Sequence, residues 1–190
     1  MLSQAPVSPD QDEFRLLSEE LHYEGYAFKV FKSTWEAPGG EVFERDLIRH
    51  IGAVAVVPVT TDGDLLLVSQ FRTALGQRLL ELPAGLRDIA GEPDVATAHR
   101  ELEEEVGHIA QNMEHLITLA TAVGFTDESI AVYLATDLTP TQVHADGIEE
   151  ESMTIERLSF DEAERRIANG LIVDAKTVAG ILLARQHLGR

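Results

Sequence analysis

Residues 85–107 read GLRDIAGEPDVATAHRELEEEVG. From Pro93 to Val106 the pattern is helical. Pro93 stands where a first-turn proline is tolerated, and Gly107 where a left-handed residue ends a helix. Val95, Ala98, Leu102 and Val106 fall on one face. The last turns of this helix carry Glu101, Glu103, Glu104 and Glu105. The carbonyl end of a helix is already partly negative and prefers lysine or arginine. Like charges three or four residues apart cost a further ~0.2–0.5 kcal/mol per pair. A bound divalent cation reverses the sign of all these terms. Glu101 and Glu105 lie one turn apart on one side, with Glu104 beside them, while Glu103 points away as a surface charge. Arg100, one turn before Glu104, is placed to clamp that carboxylate. Mg²⁺ takes oxygen ligands, commonly a few carboxylates together with waters and substrate phosphates. Taken alone, a glutamate-rich turn is usually a solvated face. Here a loop, residues 86–91, follows a strand and sets Gly85 and Glu92 ahead of the cluster.

Upstream, residues 26–35 are rich in aromatic and β-branched side chains and predict a strand. Pro38-Gly39-Gly40 is a turn, and 41–49 the returning strand. The apolar run at 53–60 predicts a buried strand, with Pro58 marking an edge or bulge at its end. Asp62-Gly63 before Leu65-Leu66-Leu67-Val68 signals a hairpin. Residues 79–83 predict a short strand. Downstream, strands are expected at 116–123, 129–135 and 153–158, with Gly124-Phe125-Thr126-Asp127 as a loop. Ser159-Phe160-Asp161-Glu162 opens a helix that Gly170 ends, and Asp174 caps a last helix reaching about Leu188. Strands on both sides of one central helix, with two helices at the C-terminus, predict a mixed α/β sandwich.

The chain has 190 residues, 44% of them apolar, which suits one principal domain. Its formal net charge of −18 repels nucleic acid and anionic membranes. An anionic substrate then needs a cation or local arginines. There is no cysteine, which excludes disulfides, zinc–thiolate sites and a thiol nucleophile and suits a cytoplasmic protein. No apolar run approaches the ~20 residues of a membrane span. Residues 1–13 read as a flexible tail without a secretory h-region, 14–50 as strands, and 51–190 as the main domain.

The segment 85–107 resembles the Nudix box: a glycine, a loop, a glutamate, seven residues, then R-E-x-x-E-E-x-G around an apolar position. Glu92, the spacer and Arg100-Glu101-Leu102-Glu103-Glu104-Glu105-Val106-Gly107 all match. Gly85 lies one residue further from Glu92 than the pattern has it, so the loop carries an insertion that leaves the carboxylate spacing alone. His108 replaces the usual closing apolar residue. The resemblance implies a Nudix α/β/α sandwich with a mixed sheet and extra N-terminal antiparallel strands. It implies that Glu101 and Glu105 ligate Mg²⁺, or Mn²⁺ in its place, with Glu104 and the Ala84 carbonyl assisting. Glu92 and Arg100 are then structural.

Gln70-Phe71-Arg72, Leu82-Pro83-Ala84-Gly85, residues 124–129 and the N-terminal strands are similar to the ADP-ribose pyrophosphatase branch. In that branch the N-terminal strands exchange between two subunits, help build each site and hold the adenine. The similarity implies a homodimer, a nucleotide-sugar substrate and products AMP and ribose 5-phosphate. Trp35 or Phe28 would stack on the base, with Phe28 the better dimer-interface residue. Arg72 would bind the diphosphate, and Arg45 or Arg49 and Phe125 are further substrate candidates. The branch carries its general base in the loop that holds Asp146-Gly147-Ile148-Glu149-Glu150-Glu151. Glu149 fits the base, with Glu150 as the alternative, and Glu151 fits a contact to the metal. Such a base is typically worth ~10²–10⁴-fold in rate. The branch usually has a proline where this chain has Val123, which keeps other nucleoside diphosphate sugars open as substrates. A non-catalytic nucleotide sensor is the other alternative. Sensors of this kind usually lose box glutamates, and all are present here.

Overall fold

The structure, a computed structural model, describes residues 13–141 and 152–190. They divide into two units: 13–50 with 122–128, and 51–121 with 129–141 and 152–190.

The larger unit is built around β4 (Ala53–Pro58), which pairs in parallel with β9 (Ser129–Pro140) and antiparallel with β7 (Ala84–Leu86). β8 (His108–Ala120) completes a mixed sheet of order β7-β4-β9-β8. A second, antiparallel sheet has the order β10-β5-β6, from β5 (Leu65–Arg72), β6 (Gln77–Glu81) and β10 (Thr154–Leu158). The apolar run of β4 is explained by burial on both faces. Val54 and Val56, with Leu66 and Val68 of β5, pack with Ala98, Leu102 and Val106 of helix α1 (Asp94–Val106). Ala55 and Val57, with Leu65 and Leu67, pack into a separate cluster with Phe160 and Ala163 of α2 (Phe160–Ala168) and Ile181 and Ala184 of α3 (Ala175–His187). Helices thus cover opposite faces of the strands, the α/β/α sandwich expected. Gly180 lets α3 lie close: a Cβ there would stand 2.6 Å from Leu82 Cδ1 and 3.1 Å from Val57 Cγ2.

The Asp62-Gly63 turn forms, with Gly63 N–H donating to the Thr60 carbonyl at 2.8 Å and φ +88° at Gly63. The hairpin beyond it does not. Only the Val59–Leu65 bridge joins the two arms, because β7 and β9 flank β4 and β5 leaves to pair with β10 and β6. Pro58 falls where its missing N–H is harmless. Val56 donates to Pro83 O and Val59 to Ala135 O, so position 58 faces the side of β7, beyond the last β7 pair at Ala55. The strand expected at 116–123 starts at His108 instead, directly after the helix, and ends at Ala120. A register shift between His115 and Ile117 breaks its period-two alternation and hides the first half from a sequence reading.

The smaller unit is an antiparallel sheet of order β1-β2-β3: β1 (Arg15–Glu24), β2 (Phe28–Glu36) and β3 (Val42–His50). β1 also escaped the alternation rule, since register shifts between Leu16 and Ser18 and between Leu21 and Tyr23 interrupt it. Residues 122–128 attach to β3 through Ile48 N–H to Phe125 O at 2.7 Å and Asp127 N–H to Ile48 O at 3.2 Å. The Asp127 carboxylate accepts from His50 N–H at 2.8 Å.

Candidate active site

Helix α1 presents its carboxylates as the spacing predicts. Glu101 and Glu105 are only 6% and 5% exposed, and no basic residue lies in the last turn. Gly107 adopts φ 65°, and its N–H reaches the Glu103 carbonyl at 3.0 Å. His108 Nδ1 donates to Val106 O at 2.8 Å, so the side chain that departs from the motif satisfies an end carbonyl of the helix. Arg100 is the local counter-charge. Its guanidinium lies 2.7 Å from Glu101, 2.9 Å from Glu104, 3.6 Å from Glu92 and 3.7 Å from Asp88. Partial burial opposes its charge, but Glu101, Glu104 and Glu92 outweigh that and hold it firmly protonated. Glu92 also accepts from Thr97 Oγ1 at 2.7 Å, which ties the loop to the first turns of the helix.

The strand before the loop is shaped to the same carboxylates. Ala84 N–H donates to Glu105 Oε2 at 3.0 Å. At Gly85 a Cβ would stand 1.9 Å from Glu101 Oε1 and 2.0 Å from its Cδ. Only glycine lets Glu101 lie against that backbone. The segment 84–85 and the helix therefore form one cradle in which Arg100 pairs with Glu101 and the charge of Arg72 acts on Glu105, a carboxylate donor set suited to a hard divalent cation. Among the described residues, no three His, Asp or Glu side chains converge to hold a metal by themselves. A cation held here by Glu101 and Glu105 would need backbone, water or substrate oxygens besides.

Arg72 sits at the end of β5 and is engaged by Glu81 of β6. Its Nε and Nη2 donate to the two carboxylate oxygens, each at 2.7 Å. Glu81 is 1% exposed and also accepts from Lys176, whose ammonium lies 3.0 Å from Asp174. Burial pushes the Glu81 carboxyl up, but Arg72 and Lys176 together hold it below the ordinary carboxylate range. Glu81 and Lys176 were not singled out from the sequence. The available signal was a carboxylate inside the apolar run Leu79-Leu80-Glu81-Leu82, since a buried charge requires a partner. The partner itself lies 95 residues away.

Trp35, Arg45 and Phe125 belong to the smaller unit. Trp35 Nε1 donates to Ser33 Oγ at 2.9 Å, and that hydroxyl donates to Arg45 O at 3.0 Å. The Arg45 guanidinium lies over the Phe43 ring, 4.6 Å from its centroid. Phe125 is 51% exposed. Arg49 pairs with Glu19 and lies 3.3 Å from Asp127. Phe28 packs at 6.1 Å from Tyr23. Glu149, Glu150 and Glu151 lie outside the described residues.

The model of the NUDIX domain matches residues 49–181. The chain is 42% identical over 172 residues to an ADP-ribose pyrophosphatase of Mycobacterium tuberculosis, covering 90% of this chain and 83% of that protein. It is 37% identical over 169 residues to a methanol dehydrogenase activator of Bacillus methanolicus, covering 89% and 91%. A solved structure described as an ADP compounds hydrolase is similar in fold, with TM-score 0.82 at 24% identity over 96% of this chain and 97% of that one.

Proposed function

The chain belongs to the Nudix family, and from that premise we propose that it hydrolyses ADP-ribose at the diphosphate bond, with Mg²⁺, to AMP and ribose 5-phosphate. The observation that carries this is the pair of buried carboxylates, Glu101 and Glu105, one turn apart toward the carbonyl end of α1 and set against the Ala84-Gly85 backbone. The M. tuberculosis relative, named for ADP-ribose, supports the substrate.

Glu101, Glu104 and Glu105 with the Ala84 carbonyl would hold the cation, and Glu151 would add a contact. When bound, the cation offsets charge on the diphosphate and makes a nearby water more acidic. Mn²⁺ is the expected substitute. Glu149, or Glu150 in its place, would take the proton from the attacking water. Arg72 would steady the diphosphate and the charge that develops on it, since its planar fork suits pairs of phosphate oxygens. Trp35, Arg45 and Phe125 are the further substrate contacts, with Trp35 stacking on the adenine. With Mg²⁺ the protein should yield one AMP per ADP-ribose consumed, and chelation with EDTA should stop the reaction. A folded protein that releases no product from a panel of nucleoside diphosphate sugars would support the nucleotide-sensing reading. The same panel decides between ADP-ribose and another sugar, the reading favoured by Val123, which is 77% exposed. Glu149→Gln at full rate would move the base to Glu150.

We also propose a homodimer formed through residues 14–50, with 51–190 as the hydrolase domain. All ten residues of β1 are exposed, and Leu17, Leu21, Tyr23, Tyr26 and Val42 are between 43% and 78% exposed. Apolar surface gathered on this small sheet and its β1–β2 turn supports association through it. Light scattering at micromolar concentration should give twice the 20.9 kDa of one chain, and a single-chain mass would sink the dimer. No helix among the described residues is long and apolar enough to cross a membrane. The cysteine-free, strongly acidic chain suits the cytoplasm, and small anionic substrates reached through a cation rather than nucleic acid or membrane.

A further inference from the structure

We infer that Glu81 is a positioning residue for Arg72, held to that task by Lys176. The inference rests on the reading of Arg72 as the diphosphate contact.

An arginine that is to meet phosphate must present a fixed edge. Its long side chain otherwise samples many rotamers, and ordering it on binding weakens affinity. Here the Nε and Nη2 edge is taken by both Glu81 oxygens in a fork-to-fork pair. Of the five guanidinium N–H groups, the pair uses two. The Nη1 edge stays outside it. The Arg72 side chain is 37% exposed and that of Glu81 2%. The arginine is therefore anchored on its inner edge and presented on its outer one.

The anchor is itself fixed. Lys176 pairs with Glu81 and with Asp174. Asp174 caps α3 by accepting from Thr177 N–H at 3.0 Å and from Thr177 Oγ1 at 2.6 Å. Thr177 Oγ1 in turn accepts from Leu82 N–H at 2.9 Å. The start of α3 thus grips the chain on either side of the Glu81–Leu82 peptide. Glu81 and Asp174 together balance Arg72 and Lys176, so Glu81 is held between two cations and its two oxygens keep a fixed direction toward Arg72. The segment 81–84 then has two duties: Glu81 sets the arginine, and Ala84 N–H meets Glu105 at 3.0 Å. Arginine and carboxylates share one short piece of backbone, which fixes their spacing.

A double-mutant cycle tests this. Arg72→Met, Glu81→Gln and the pair are compared with wild type in three measurements: kcat and KM at saturating Mg²⁺, calorimetric affinity for ADP as a diphosphate probe, and thermal midpoint. Each single variant should lose about 10–100-fold in kcat/KM and in ADP affinity, the scale of removing an orienting partner. The double variant should match Arg72→Met within about twofold, because Glu81 acts through Arg72. Should Glu81→Gln not fold, Glu81→Asp replaces it in the cycle. It keeps the charge and shortens the reach, and its loss should likewise vanish in the Arg72→Met background. Losses that multiply in the double variant, or a folded Glu81 variant with wild-type constants, overturn the positioning role and leave Arg72 as the diphosphate contact. Wild-type constants in Arg72→Met overturn both readings. ADP affinity decides between these outcomes even if ADP-ribose is not the substrate.

Discussion

Glu105→Gln should give a folded protein that is more stable than wild type without divalent cations and has lost turnover by about 10³-fold or more. The rate follows from the lost ligand: a cation's stabilisation of developing charge is worth several kcal/mol, and each 1.36 kcal/mol is about tenfold. The stability follows from where the charge sits. Glu105 is one turn beyond Glu101, both are buried, and the last turn of α1 has no basic residue. Removing one charge relieves an i,i+4 repulsion of about 0.2–0.5 kcal/mol and an unfavourable helix-end interaction of about 0.3–1 kcal/mol, against the loss of its attraction to Arg72, which is the weaker because Arg72 is paired with Glu81. The amide oxygen can still accept from Ala84 N–H. For a chain of this size the gain is on the order of a few degrees in thermal midpoint. Adding Mg²⁺ should raise the midpoint of wild type more than that of the variant, since only a protein that binds the ion gains from it. Calorimetric scans in EDTA and in Mg²⁺, with initial rates, provide the check. A variant less stable in EDTA, or one with wild-type kcat, would remove Glu105 from the cation site.

The second large effect is expected at Gly85. In Gly85→Ala the methyl group lands within 2.0 Å of the Glu101 carboxylate, far inside van der Waals contact. That carboxylate is 6% exposed and lies 2.7 Å from Arg100, so it cannot swing aside without breaking the pair. Overpacking of this kind costs about 1–3 kcal/mol. Displacing the ligand should also raise the Mg²⁺ concentration for half-maximal rate by about 10–100-fold. Gly91→Ala is the control. Gly91 has φ +81° with nothing within 4 Å of a Cβ, so alanine there strains the backbone only and should leave metal activation unchanged. Equal metal activation in the two alanine variants would mean that Glu101 is not held as described.

The contrast between these glycines shows what a one-dimensional reading reaches. The box was legible because its physics is local: helix spacing, helix-end charge and a capping glycine are all read within 85–107. β4 was legible because burial on both faces leaves an unbroken apolar run. β1 and the first half of β8 were not, because register shifts at Leu16–Ser18, Leu21–Tyr23 and His115–Ile117 scramble the alternation that marks a strand. At Asp62-Gly63 the turn was readable, but the partner of β5 was not: sheet membership is decided by strands far along the chain. The same separation hid Glu81 and Lys176. The clash that makes Gly85 irreplaceable is likewise tertiary, although the glycine itself belongs to the motif.

Helix α1 runs into β8 with no linker. Val106 ends the helix, Gly107 caps it and His108 already pairs with Pro140, while Thr141 N–H fastens the Gly107 carbonyl at 2.7 Å. The turn bearing Glu101 and Glu105 is spliced without slack to the long β8–β9 ladder. Its carboxylates therefore inherit the stiffness of the sheet. They form a fixed jig, and any movement that accompanies turnover has to be made by other parts of the chain.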